Sequence, residues 1–189
     1  MATNQEHPEP PIRIRIEAPG DVEEISSLVG AAFSLAAHSA PPVRAGGPPG
    51  EVDLLGWLRE DEGWLPDLSL VAVSDGHIVG QVVCTRALVD DAPALALGPL
   101  SVHPELQGQG VGAALVRDVL ARAENAGETL VALVGDPAYY GRFGFVPAKE
   151  LGLVSPDTGY GDFFQARSLG PGEHPRGRFQ FAAPFARLS

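Results

Sequence analysis

Three glycines, Gly108, Gly110 and Gly112, alternate with other residues immediately before a strongly patterned helix and shortly after an apolar strand, an order that few folds accommodate. Glycine lets the backbone approach a ligand closely, the first N–H groups of a helix have no internal partners, and the helix dipole favours negative charge there. The stretch Pro104 to Gly112 therefore reads as an anion cradle. Before it, Leu95 to Val102 is apolar enough to be a strand buried on both faces. Its Gly98-Pro99 pair breaks the ladder, because proline has no N–H to donate and glycine within a strand marks a bulge. The strand is expected to bend there and part from a neighbour, leaving backbone groups free for a ligand. After the cradle, Val111, Leu115, Val116, Val119, Leu120 and Ala123 fall on one helical arc, with Arg117, Asp118, Glu124 and Asn125 opposite and Gly127 as the stop. Thr129 to Val134 is a second buried strand, ended by Gly135-Asp136-Pro137. A helix between two buried strands predicts parallel pairing through a crossover. Tyr139-Tyr140-Gly141-Arg142-Phe143-Gly144-Phe145 closes the unit.

This unit resembles the GNAT superfamily of N-acetyltransferases. Gln107-Gly108-Gln109-Gly110-Val111-Gly112 is similar to that family's Q/R-x-x-G-x-G/A loop for the acetyl-CoA pyrophosphate, and Tyr140 with Gly144-Phe145 is similar to its Y-x-x-x-G-F segment. The likeness of motifs runs from Leu95 to Pro147. It implies an α/β (α+β) fold with a mixed, mostly antiparallel twisted sheet flanked by helices and a splayed parallel central strand pair. It also implies transfer of an acetyl group from acetyl-CoA to a primary amine by direct attack in a ternary complex. Carried onto the matching positions, Gln107, Gly108, Gln109, Gly110, Val111 and Gly112 would hold the pyrophosphate. The backbone around Leu100, Ser101 and Val102 would bind the pantetheine arm and polarise the thioester, and Tyr140 would protonate the departing thiolate. The resemblance leaves a homodimer open.

Two family features have no counterpart. Many relatives supply a glutamate from the central strand as general base, yet Leu95 to Val102 holds no carboxylate or histidine. Acidic residues elsewhere, namely Glu51, Asp53, Glu60, Asp61, Glu62, Asp90 and Asp91, could act through water or simply be a solvated surface. The family's asparagine after the second central strand is replaced by Gly135-Asp136-Pro137. Two other readings stay open. Gly108-x-Gly110-x-x-Ala113 fits a dinucleotide fingerprint, but His103 to Gln107 separate the strand from the first glycine, where such a fold has almost nothing between them. A binding module that keeps the acetyl-CoA site without turnover is the other. A phosphate-binding P-loop is excluded, since no Gly-Lys-Ser/Thr follows.

The 189 residues suit one domain over 12–189 behind a disordered tail at 1–11. A formal net charge of −11 argues against a general nucleic-acid or anionic-membrane binder, and either favours approach by a cationic amine or simply serves solubility. Cys84 is the one cysteine and lies in an apolar strand, so it reads as a small buried hydrophobe. No early stretch has the parts of a signal peptide and no apolar run could span a bilayer, which predicts a cytoplasmic protein. The five histidines are too scattered for a metal site.

Elsewhere, Ile12, Ile14 and Ile16 alternate as a half-buried strand. Asp21 and Glu24 form a capping-box pattern before a helix with Ile25, Leu28, Val29, Ala32 and Phe33 inward. His38 to Gly50 can form neither helix nor strand and is expected to be a substrate-side lid or disordered. A short helix from Val52 to about Glu60 should turn Leu55 and Leu58 inward. Strands Leu68 to Ser74 and Ile78 to Thr85 should meet at Asp75-Gly76, a strong hairpin signal, with His77 exposed. Phe163 to Leu169 and Arg178 to Ala182 read as a closing antiparallel pair.

Overall fold

The computed structural model describes residues 11–36 and 39–188; all but the last residue of the expected tail, and His38 of the expected loop, lie outside them. In chain order the elements are β1 (Arg13–Ile16), α1 (Val22–Ser34), α2 (Gly50–Arg59), β2 (Trp64–Ser74), β3 (His77–Val89), β4 (Ala92–Val102), α3 (Val111–Asn125), β5 (Leu130–Val134), α4 (Pro137–Tyr140), β6 (Val146–Pro147), β7 (Leu153–Val154), β8 (Phe164–Ser168) and β9 (Gly177–Gln180). The strands form a sheet in the order β1-β2-β3-β4-β5-β8-β6, with β9 joined to both β3 and β7. Among the described residues only the β4–β5 and β7–β9 pairs are parallel. Among the described residues no helix is long and apolar enough to cross a membrane.

Alternation along the central strands sends Leu95, Leu97, Val131 and Leu133 to one face, where Leu115, Val116 and Val119 of α3 cover them. On the opposite face Val71 and Val83 pack under Ile25, Leu28 and Val29 of α1 and Leu54, Leu55 and Leu58 of α2. Ala94, Ala96, Leu130 and Ala132, also on that face, are covered instead by Leu153, Phe164 and Phe179. Small alanines there leave room for the large rings. Each fully buried leucine contributes about 1.5–3 kcal/mol relative to exposure, so the α3 face alone accounts for much of the folding drive. Cys84 is fully buried on it, and burial pushes its thiol up, away from reactivity.

The central expectation holds in detail. β4 and β5 pair through only Leu95–Val131 and Ala96–Ala132, and then diverge. On the other side of β4 the register with β3 shifts between Val82–Leu100 and Cys84–Leu97, so Val83 faces both Gly98 and Pro99. That is the bulge. The β2–β3 hairpin turns at Asp75-Gly76 with both residues at positive φ, as a two-residue primed turn requires.

Four readings are corrected. The strands over Phe163–Leu169 and Arg178–Ala182 do not pair with each other: β8 joins β5 and β6, while β9 joins β3 and β7. The reason lies at Asp90, in the turn between β3 and β4, whose N–H donates to Arg178 O (2.8 Å) and whose carboxylate accepts from Arg178 N (3.1 Å). The strands on either side of that turn extend well beyond the expected limits, β3 to Val89 and β4 from Ala92, and so offer β9 an edge. Asp21 and Glu24 make no capping box. Asp21 accepts from Ala18 N (2.7 Å) and pairs with Arg15, while Glu24 accepts from Ile78 N (2.8 Å) and pins α1 to the hairpin. The second helix begins at Gly50 rather than Val52, because Gly50 packs against Pro41 O and Leu188, which leaves no room for a side chain.

Residues 39–49 form neither helix nor strand, as expected. Their opening end is tied to the start of α2. Glu51, 7% exposed, accepts from Ala40 N (2.6 Å) and Ser39 Oγ (3.1 Å), and Gly50 N donates to Ala40 O (3.1 Å).

Candidate functional site

Where β4 and β5 part, the chain after β4 turns through Pro104–Leu106 and enters α3 at Gly110. Gly110 has φ 91°, a left-handed conformation that any side chain would strain, and as N-cap it carries no side chain to satisfy the helix. The first turn of α3 holds no acidic residue. Its free N–H groups and positive dipole end therefore face outward without competition, which is the physical requirement for an anion site.

These N–H groups open onto a cleft of about 490 Å³ lined by Leu100, Val102, Leu106, Gln107, Gly108, Gly110, Gly112, Ala113, Tyr139 and Arg142. Of the expected cofactor residues, Leu100, Val102, Gln107, Gly108, Gly110 and Gly112 are thus brought together. Gln107 Nε2 donates to Val102 O (3.1 Å) and fixes the loop against the end of β4. Three others have side chains elsewhere. Gln109 Nε2 donates to Glu105 O (2.9 Å), Val111 is 1% exposed within the α3 core, and Ser101 points to the opposite face of β4.

The two tyrosines diverge. Tyr139 reaches the cleft and lies over Gly112, with Arg142 stacked on its ring at 4.6 Å and donating from Nε to its carbonyl (2.9 Å). Tyr140 turns toward the end of β5: its ring covers Gly135 closely enough that a β-carbon there would overlap it, and it packs edge-on against Phe145 at 5.8 Å. The rings themselves meet in a T at 4.9 Å. Burial pushes the Tyr140 phenol well above its ordinary value, and Tyr139 adds in the same direction. Burial also pushes the Tyr139 phenol up, with Arg142 and Arg117 opposing it. Both phenols hold their protons throughout the neutral range.

Asp136 accepts from Ala138 N (2.9 Å) and starts the turn that sends the tyrosines apart. Gly135 N donates to Phe163 O (2.9 Å) and Gln165 Nε2 donates to Gly135 O (2.8 Å), which holds this glycine under the ring. Leu106, Ala113, Tyr139 and Arg142 are the lining residues that motif reading passed over, and Tyr139 and Arg142 are the two that carry polar groups. The signal for Tyr139 and Arg142 is the placement of an aromatic and a cation one turn apart after the second strand.

None of the acidic residues weighed as a base lines the cleft. Glu51 is engaged by the loop, Asp61 accepts from Gly63 N (2.8 Å), and Asp90 holds Arg178. Among the described residues no group of three His, Cys, Asp or Glu side chains is placed to hold a metal ion.

Comparison with known proteins agrees with this geometry. The model of the acetyltransferase (GNAT) family matches residues 35–145. YhbS of Escherichia coli, an uncharacterised N-acetyltransferase, is 33% identical over 159 residues, covering 82% of this chain and 86% of its own. YjhQ of the same organism, also an uncharacterised N-acetyltransferase, is 41% identical over 111 residues, 56% of this chain and 61% of YjhQ. Among solved structures, YhbS in complex with CoA superposes with a TM-score of 0.82 at 28% identity, covering 97% of this chain and 96% of that one. A GNAT family acetyltransferase from Brucella melitensis in complex with acetyl-CoA gives 0.74 at 33% identity, covering 93% and 98%. The chain, with its splayed β4–β5 pair and its uncapped α3, belongs to the acetyltransferase (GNAT) family.

Proposed function

We propose that the protein transfers an acetyl group from acetyl-CoA to a primary amine, by direct attack of the amine on the thioester. The observation that carries this reading is the cleft at the uncapped start of α3, lying beside strands that part after Ala96 and Ala132. The N–H groups of that helix turn and Arg142 would receive the pyrophosphate. The unpaired edge of β4 around Leu100 to Val102 would receive the pantetheine arm, and donors there would stabilise charge developing on the thioester oxygen. As the nitrogen–carbon bond forms and the carbon–sulfur bond breaks, Tyr140 would give its proton to the thiolate. Burial keeps this phenol protonated through the neutral range and at the same time makes it a weaker acid than an exposed one, so donation is coupled to the charge that develops on the sulfur. The acceptor's other proton must leave by a separate route.

Calorimetric titration tests the cofactor assignment. Acetyl-CoA is expected to bind, Gly110→Glu to abolish binding by steric block and added negative charge, and NAD or NADP not to bind. Tight NAD binding without acetyl-CoA binding would replace this reading with a dinucleotide enzyme. A second reading, an acyl-CoA sensor without turnover, draws on the lack of any carboxylate or histidine in Leu95–Val102.

A further inference from the structure

Gly135 is a glycine for want of space, not for its backbone. Its φ lies outside the left-handed range that Gly98, Gly108 and Gly110 occupy. A β-carbon there would nevertheless overlap Tyr140 Cε2 and stand 2.8 Å from Tyr140 Cδ2 and 3.3 Å from Leu133 Cδ1, so the ring lies directly on the main chain. That main chain is held from β8. Gly135 N donates to Phe163 O (2.9 Å), but the return bond of an antiparallel rung, from Phe163 N to Gly135 O, is not made, because the chain ahead of Phe163 is wound into the turn Thr158–Phe163. Gln165 takes its place. The Nε2 group donates to Gly135 O (2.8 Å) across 30 positions of sequence, and with the residue only 1% exposed no solvent competes for the bond. The same strand carries the other wall of the ring. Pairing of Val146 with Ala166 and of Pro147 with Gln165 anchors the chain just after Phe145, whose ring meets Tyr140 edge-on at 5.8 Å.

We propose that Gln165 is a positioning residue for acetyl transfer: through Gly135 it fixes the height and tilt of the Tyr140 ring at the end of β5, and with them the line along which the hydroxyl meets the departing sulfur. The inference rests on the acetyl-transfer reading above. Gln165 acts through the glycine and the ring. A phenol donates along its O–H bond, so a small shift of the ring weakens proton transfer in the transition state while leaving cofactor binding almost untouched. The segment Gly135-Asp136-Pro137, where this chain departs from the family pattern, is what gives the ring its seat. An asparagine at 135 would carry a β-carbon into the ring, and the buried amide that steadies the seat comes instead from β8.

A double-mutant cycle on kcat separates aim from stability. Gln165→Met keeps the volume and removes the donor, and is expected to lower kcat about tenfold, part of the roughly 10²-fold expected of Tyr140→Phe, with acetyl-CoA affinity unchanged. In the Tyr140→Phe background the same change is expected to leave kcat where it is, because no phenolic proton remains to be aimed. Equal loss in both backgrounds, or no loss in either, would overturn the proposal. Gly135→Ala lifts the ring from beneath without touching Gln165, and its loss of kcat is expected to show the same dependence on the Tyr140 hydroxyl; unchanged kcat would overturn the seat. A crystal structure of the wild type with CoA requires no variant to fold. The ring is expected on Gly135, with Gln165 Nε2 bonded to Gly135 O and the phenol oxygen turned to the CoA sulfur; a ring lifted off Gly135, or a hydroxyl turned away from the sulfur, would overturn the aim. A wild-type protein that turns over no amine would overturn the transfer reading, and the crystal would still decide whether Gln165 and Gly135 seat the ring.

Discussion

The Tyr139 hydroxyl rests on Gly112: a β-carbon at residue 112 would stand 2.7 Å from that oxygen and 3.4 Å from Val102 Cγ2. Gly112→Ala must therefore push Tyr139 aside at the mouth of the cleft. Acetyl-CoA affinity should fall about tenfold, or ~1.4 kcal/mol. Tyr139→Phe in the Gly112→Ala background should recover part of that loss, because the removed oxygen is the obstacle. Calorimetry on the double-mutant cycle checks it, and simple additivity would mean the two residues do not interact.

Arg142 is the cationic side chain of the cleft, held by its stack on Tyr139. Arg142→Ala should raise the KM for acetyl-CoA roughly tenfold, in line with loss of a charge-assisted contact, and should weaken the dependence of KM on salt. Acetyl-pantetheine, which has no pyrophosphate, should be used equally by both proteins. Equal losses with both donors would place Arg142 outside phosphate recognition.

Tyr140 is held above the ordinary phenol value by burial. In the unfolded chain a tyrosine ionises near pH ~10. Its contribution to stability is therefore complete below that value and is lost as pH rises through the higher folded one. Alkaline denaturation of Tyr140→Phe should show a flatter loss of stability above pH ~10 than the wild type. For the same reason kcat should show no fall from Tyr140 ionisation below that pH. A basic limb that vanishes in Tyr140→Phe would contradict the burial.

Asp21 behaves oppositely. The Arg15 guanidinium beside it, aided by the Ala18 N–H, holds its carboxyl below the usual range despite some burial. That stabilisation is present above the unfolded carboxylate value near ~3.9 and is lost as pH falls through the lower folded one. Urea titrations at a series of pH values should show Asp21→Asn less stable than wild type at pH 7 and converging with it in acid.

What could be read from the residues was what local chemistry determines. Gly98-Pro99 foretold the bulge, Asp75-Gly76 the hairpin, and the alternating glycines the open helix start, because each acts within a few residues of itself. The pairing of β9 was not legible, since it depends on Asp90 meeting Arg178 across 88 positions of sequence. Nor was the parting of the tyrosines. Tyr139 and Tyr140 are chemically identical, and only the turn begun at Asp136 sends one to the glycine loop and the other to Gly135.

In the proposed reaction Tyr140 donates the proton to the thiolate rather than merely packing beside the splay. CoA release measured over a panel of primary amines, with acetyl-CoA affinity determined in parallel, tests it most directly. The wild type is expected to acetylate at least one amine, and Tyr140→Phe to lose roughly 10²-fold in kcat while binding acetyl-CoA as before. Binding without CoA release above background across the panel, or wild-type kcat in Tyr140→Phe, would contradict it.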